Sequence, residues 1–490
     1  MPQCRSLWST GTFTSATREN AFMTTSVGRR PNVVFVMSDD HAAHAIGAYG
    51  SVVNTTPHLD RLAGEGMRFD NAFCTNSICA PSRAAILTGT YNHVNGVTTL
   101  RPTFDARQPG FPELLRDEGY QTAIVGKWHL GEGDKHDPYG FDYWDVLIDQ
   151  GEYHDPRFRS ADGVRRVEGY ATDLITDLSL DWLDARDADR PFCLLVHHKA
   201  PHRPWEPDEK HSKLYADEDI PLPETFWDDY SERAGAAAEA TMRVNRDLTA
   251  TDLKVEPPPG MSDREFAEWA YQRYLKDYLR CVASVDDNVG RLLDYLDDHD
   301  LADDTLIIYT SDQGFFLGDH GWYDKRFMYE ESLRMPFLVR YPRLVQPGTT
   351  CDDIALNVDF AQTFLELAGV AAHPRMQGRS LLPLLQGETP SDWQTSMYYR
   401  YWEHLSEPHR VQAHYGVRTK THKLIYYYGQ ALGQPNTKDE PREPEWEVFD
   451  LVSDPNELHN VYADPAYAGV REELTAELAR LQAEVGDAPA

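Results

Sequence analysis

Four short apolar runs, each ending in polar groups, set the pattern of the chain. Val33-Val34-Phe35-Val36-Met37 leads into Ser38-Asp39-Asp40, and Thr122-Ala123-Ile124-Val125 into Gly126-Lys127-Trp128-His129. Phe192-Cys193-Leu194-Leu195-Val196 leads into His197-His198-Lys199-Ala200-Pro201-His202, and Leu306-Ile307-Ile308-Tyr309 into Thr310-Ser311-Asp312-Gln313-Gly314. Runs that are continuous rather than alternating predict strands buried on both faces. Helices fit between them. Thr56 as N-cap before Pro57, with Leu59 and Leu62 following, starts one, and Phe111-Pro112 starts another. From Asp263 to about His299 an amphipathic pattern carries Phe266, Trp269, Tyr274, Tyr278, Val282, Val285, Val289 and Leu293, and its length predicts a kink. The expectation is an α/β fold, a large and mostly parallel sheet sandwiched by helices. In such folds ligands sit beyond the carboxyl ends of the strands. All four run ends carry acid, Lys or His groups that can converge there.

Texture divides the chain further. Residues 1–30 form a polar tail, residues 31–390 the body, and residues 391–490 a small α+β subdomain. Within the body, residues 205–260 are acidic and Pro-punctuated, an insertion or lid. In the tail half, Val411 to Tyr428 and Glu447 to Leu451 predict antiparallel strands, and Pro465 to about Val485 a helix.

Composition narrows the function classes. The 490 residues are 41% hydrophobic, enough for a sizeable core, and 47 Lys+Arg face 79 Asp+Glu for a net charge of −32. That field opposes nucleic acid and anionic membrane surfaces, so neither is an expected partner. No apolar run reaches the ~20 residues of a membrane span. The first 30 residues lack the apolar stretch of a secretory signal, which makes a cytoplasmic location the expectation, with export left open as the alternative. Six scattered cysteines give no disulfide or zinc framework.

One cysteine stands apart. In Cys79-Ala80-Pro81-Ser82-Arg83-Ala84-Ala85-Ile86-Leu87-Thr88-Gly89, Pro81 suits a helix's first turn and Gly89 its stop. Cys79 then lies at a helix N-terminus, where backbone N–H groups favour an anion. Read by itself it would be an ordinary buried thiol. The pattern Cys-x-Pro-x-Arg followed by Thr-Gly, however, resembles the signature of the formylglycine sulfatases of the alkaline phosphatase superfamily. Asp39-Asp40, Gly126-Lys127-Trp128-His129, Ala200-Pro201-His202, Ser311-Asp312-Gln313-Gly314 and Asp324-Lys325-Arg326 match further segments of that family.

The resemblance implies an alkaline phosphatase-like fold, a formylglycine made from Cys79 by a formylglycine-generating enzyme, and Ca²⁺. Metal ligands would be Asp39, Asp40, Cys79 in its converted form, Asp312 and Gln313. An all-oxygen protein set suits a hard cation. Gln313 stands where relatives carry Asn or His and is one methylene longer than Asn. Lys127 and Lys325, two of only eleven lysines, would hold sulfate oxygens, and Arg83 would orient the hydrated aldehyde. His202 would be general acid to the leaving oxygen, and His129 the base of the second half-reaction. The stretch from Asp312 to Ser332 is similar to the N-acetylglucosamine-6-sulfatase-like branch of bacterial carbohydrate sulfatases. His404, His414 and Trp402 become candidate sugar contacts. The expected activity is therefore release of sulfate from a sulfated carbohydrate. An arylsulfatase, or a phosphonate or phosphate monoester hydrolase, stays open on the same site. So does a non-catalytic binder of sulfated glycans, should Cys79 stay a thiol.

Overall fold

The computed structural model describes residues 30–489, so the polar tail falls outside the described residues except for Arg30. All four apolar runs form strands: Asn32–Ser38, Gln121–Lys127, Phe192–His197 and Thr305–Ser311. They lie side by side and parallel at the centre of a ten-stranded sheet, in the order Thr305–Ser311, Asn32–Ser38, Phe192–His197, Gln121–Lys127. Val36 sits opposite both Val196 and Tyr309, and Val125 opposite Val196. Every residue of these four strands is buried, which explains the absence of alternation. Beyond Thr305–Ser311 the sheet continues antiparallel with Phe337–Arg340. Beyond Gln121–Lys127 it continues parallel with Tyr143–Leu147. The register brings Ser38 level with Ser311, and His197 level with Met37 and Gly126. The polar residues that follow each strand therefore leave the sheet along one edge.

The helix Asp263–Asp298 runs unbroken for 36 residues, where its length predicted a kink. It begins in a capping box between Ser262 and Glu265. Its buried stripe continues without a break from Ala270 through Tyr274, Tyr278, Cys281, Val285 and Val289 to Leu293, so nothing forces a change of face. The helix interior holds no proline, and its one glycine, Gly290, is a contact point. A Cβ there would lie 2.5 Å from the His58 ring. Thr56 does precede the helix Pro57–Gly64, but its hydroxyl caps no helical N–H. It accepts from the Gly47 N–H instead.

Residues 205–260 do not stand off as a flap. Trp205 is fully buried against Tyr274 and Phe315. Met242 and Val244 pair by backbone with Tyr323 and Gly321, wrapping the segment around the hairpin of Phe316–Leu317 and Tyr323–Asp324, which Lys325 directly follows. The C-terminal part is a four-stranded antiparallel sheet of Ser396–Tyr401, His414–Thr419, His422–Tyr427 and Glu445–Asp450. The helix Ala468–Val485 covers it, burying Leu474, Leu478, Leu481 and Val485. Among the described residues no helix is long and apolar enough to cross a membrane.

Candidate active site

Cys79 opens the helix Cys79–Thr88, all ten residues of which are buried, and Gly89 ends it in the left-handed region at φ 61°. Here the cap needs the conformation that glycine adopts freely. Asp39 and Asp40 leave the central strand, with Asp40 itself at φ 64° and its backbone N–H 3.3 Å from Asp312 Oδ1. Cys79 Sγ lies 3.4 Å from Asp39 Oδ1 and 3.6 Å from Gln313 Nε2. Gln313 Nε2 also donates to Asp40 Oδ1 at 2.6 Å. Five residues drawn from two strand ends and one helix thus meet at a single buried point.

Three cations close around the three carboxylates. Arg83 spans the site, with Nε 2.9 Å from Asp312 Oδ2, one terminal nitrogen 3.0 Å from Asp39 Oδ2 and the other on the Lys127 carbonyl at 2.9 Å. Lys127 Nζ pairs with Asp39 and donates to Gln150 Oε1 at 2.5 Å. Lys325 Nζ donates to Asp40 Oδ2 at 2.7 Å. Burial pushes the Asp39 carboxyl up, but Lys127, His202, Arg83 and Lys325 outweigh it and hold it well below the usual range. Asp40 is pushed up to about 7, by burial first, against Lys325 and with Asp39, Asp324 and Asp312 adding to the rise. Burial and then Asp39 raise Asp312. Burial, reinforced by Asp39, also drives the Cys79 thiol far up, so as a thiol it is no thiolate nucleophile at neutral pH.

Two imidazoles border this centre. His202 Nδ1 bonds the Arg203 carbonyl at 2.7 Å, which turns Nε2 toward Asp40 Oδ2, 3.8 Å away. His129, at φ 54°, places Nε2 3.7 Å from Asp149 and leaves its buried Nδ1 without a hydrogen-bond partner. Burial, then Lys127, lowers the pKa of both.

Oxygen atoms of Asp39, Asp40 and Asp312 lie within 4.8 Å of one another, and Gln313 Oε1 is buried without a partner. An orphaned carbonyl oxygen beside three carboxylates fits a hard, oxygen-seeking cation. The longer Gln side chain reaches the cluster.

The three candidate sugar contacts are placed otherwise. His414 is fully buried, with Nε2 accepting the Met328 N–H at 3.1 Å, Nδ1 bonded to the Gln412 carbonyl at 2.8 Å, and its ring stacked on Tyr399 and Tyr401. His404 uses Nε2 on the Glu440 carbonyl and Nδ1 on the Ala413 N–H. Trp402 lies under the Arg400 guanidinium, 3.5 Å from its ring centre, and Arg400 is tied to Asp487. Backbone bonds engage both nitrogens of His404 and of His414, and Arg400 covers one face of the Trp402 ring. Sequence reading missed Gln150, whose signal is its position just beyond the strand Tyr143–Leu147.

A parallel sheet whose edge gathers a carboxylate cluster, a helix-borne Cys and three cations defines a hydrolase of anionic esters. The chain belongs to the sulfatase family, which it matches over residues 31–370. Residues 318–484 match the C-terminal family of N-sulphoglucosamine sulphohydrolase. The N-acetylglucosamine-6-O-sulfatase of Bacteroides thetaiotaomicron is 42% identical, across 94% of this chain and 87% of that protein. A solved structure described as being in complex with its substrate D-glucosamine-2-N,6-O-disulfate superposes with a TM-score of 0.88. It is 41% identical and covers 94% of this chain and 98% of that one. The phosphonate monoester hydrolase of Agrobacterium radiobacter shares the fold at a TM-score of 0.71 and 21% identity, covering 93% of this chain and 96% of that one. The protein is thus a sulfuric ester hydrolase with an alkaline phosphatase-like fold.

Proposed function

We propose that the protein hydrolyses the 6-O-sulfate of an N-acetylglucosamine-like sugar, using a formylglycine made from Cys79 and a Ca²⁺ ion held by Asp39, Asp40, Asp312 and Gln313. The observation that carries the reading is the meeting of Cys79 Sγ, the carboxylate cluster and the orphaned Gln313 Oε1 at one buried point. The 42% identity to an N-acetylglucosamine-6-O-sulfatase supports the sugar. Formylglycine supplies a hydrated aldehyde oxygen as nucleophile in place of a thiol that burial keeps protonated. The cation would supply charge at a sulfate oxygen and favour ionisation of that hydrate. Cys79 is only 1% exposed, so its conversion by a maturation enzyme precedes closure of the site.

The chain's own groups divide the remaining work. Lys127 and Lys325, both buried, hold sulfate oxygens where such contacts act most strongly. Arg83 fixes Asp39 against Asp312 and so sets the spacing of the cluster. His202, with Nδ1 engaged by the Arg203 carbonyl, keeps Nε2 for the proton that goes to the leaving sugar oxygen. Burial and Lys127 hold His202 neutral without ligand, and the negative charge of a bound sulfate favours its protonated form. His129 offers an unpartnered Nδ1 as the base that frees sulfate.

Sulfate release from a panel of sulfated monosaccharides, with 4-nitrophenyl sulfate and a phenylphosphonate ester alongside, tests the reading. The 6-sulfated amino sugars should give the highest kcat/KM. A higher value for the phosphonate ester would reassign the substrate class, and binding of sulfated glycans without any turnover would leave a non-catalytic binder.

A further inference from the structure

Lys325 is presented by an unusual piece of backbone. Its neighbours Asp324 and Arg326 both lie in the left-handed region, at φ 79° and 94°, which residues with side chains rarely adopt. Two successive departures on either side of one functional lysine persist only when surrounding contacts over-determine them. Part of the restraint is local. Asp324 Oδ1 accepts from the Lys325 N–H at 2.9 Å and from Arg326 Nε at 3.1 Å.

The rest comes from the C-terminal subdomain. The Tyr399 hydroxyl donates to the Arg326 carbonyl at 2.7 Å and accepts from the Ser77 N–H at 3.1 Å. One oxygen thereby joins the residue after Lys325 to a residue two positions before Cys79. Glu403 Oε2 takes Arg326 at 3.2 Å, while Oε1 accepts from the Leu100 N–H at 2.6 Å and from Asn436 at 2.9 Å. His409 Nε2 stands 3.3 Å from Asp324 Oδ2. Tyr399 and Glu403 are fully buried, and His409 nearly so. None of the three touches Cys79 or the carboxylate cluster through any of these bonds.

The geometry points to Tyr399 and Glu403 as positioning residues for Lys325: the C-terminal subdomain sets the distance between the lysine and the Cys79 helix. This rests on the reading of Lys325 as a sulfate-holding group. Removing either clamp lets the strained turn relax and withdraws Nζ from its place beside Asp40 Oδ2.

Tyr399→Phe and Glu403→Gln, each alone and each combined with Lys325→Ala, test this on the mature enzyme. Against a 6-sulfated N-acetylglucosamine, each single substitution should lower kcat by roughly 10–100-fold, the scale of an ångström-level misplacement, with KM changing little. In the Lys325→Ala background the same substitutions should cost less than about twofold, because residues acting through one group are not additive. Equal losses in both backgrounds, or an unchanged kcat, would overturn the assignment. Crystal structures of the two single variants give a readout independent of activity. They should show Lys325 Nζ displaced and Arg326 out of the left-handed region, whereas an unmoved lysine refutes positioning. Should the parent turn over no amino-sugar sulfate, the substrate reading fails by itself, and the same cycle on 4-nitrophenyl sulfate still tests the clamp.

Discussion

Replacing Arg83 by Met removes the cation that holds the site together while keeping an unbranched side chain in its place. Arg83 is 1% exposed and serves Asp39, Asp312 and the Lys127 carbonyl, so its charge is paired away from bulk solvent. Three carboxylates, Asp39, Asp40 and Asp312, then keep Lys127 and Lys325, with His202 beside Asp40. Breaking a buried pair in this way costs about 3–5 kcal/mol. Unfolding entropy of about 2.1 cal/mol/K per residue makes one kelvin of Tm worth about 1 kcal/mol in a chain of this length. Calorimetry in a chelator should therefore place the variant's Tm about 3–5 °C below the parent's. Calcium at millimolar concentration supplies the missing positive charge, so it should raise the variant's Tm by more than the parent's. A Tm in chelator within about 1 °C of the parent, or equal calcium responses in the two proteins, would refute the assigned charge balance.

Further outcomes follow from the same geometry. Cys79→Ala should abolish sulfate release yet leave Tm nearly unchanged, since the site loses only one small side chain; measurable turnover would contradict the nucleophile. His202→Ala should lower kcat/KM by about 10²–10⁴-fold on sugar sulfates and much less on an ester with an acidic phenol leaving group, and comparing the two substrates checks the general-acid role. His320 is buried, with Nδ1 3.1 Å from Asp228 and Nε2 3.8 Å from Glu331; burial lowers its pKa, but these two acids outweigh it and raise the value to about 9. A raised folded pKa contributes stability that is complete below the unfolded value near 6.5 and is lost as pH rises through 9. His320→Asn should thus be destabilised by on the order of 3 kcal/mol at pH 6, with the deficit shrinking toward pH 10 in denaturant titrations. A deficit independent of pH would mean that the contribution is packing alone.

Periodicity made the sheet centre legible because buried parallel strands write themselves as unbroken apolar runs. It also pointed to the candidate site, since Asp39, Lys127 and Asp312 follow those runs closely, His202 lies a few residues further on, and the register aligns the run ends. The Cys79 helix was equally readable, from Pro81 and Gly89. Contacts between distant segments were not. Tyr399 and Glu403 reach Arg326 across more than seventy residues, and nothing local marks that link. His414 reads differently in the structure for a related reason. Aromatic and His residues look like sugar contacts in a sequence, yet His414 stacks among Tyr399 and Tyr401, and Trp402 beneath Arg400. The long helix misled through length alone, because its buried stripe keeps to one face throughout.

Mass analysis of the peptide from Phe69 to Arg83 in catalytically active protein tests the central claim most directly. Conversion of the Cys79 thiol to an aldehyde removes about 18 Da, and the converted fraction should rise in proportion to specific activity across preparations. Full sulfatase activity in protein whose Cys79 retains its sulfur would contradict the account.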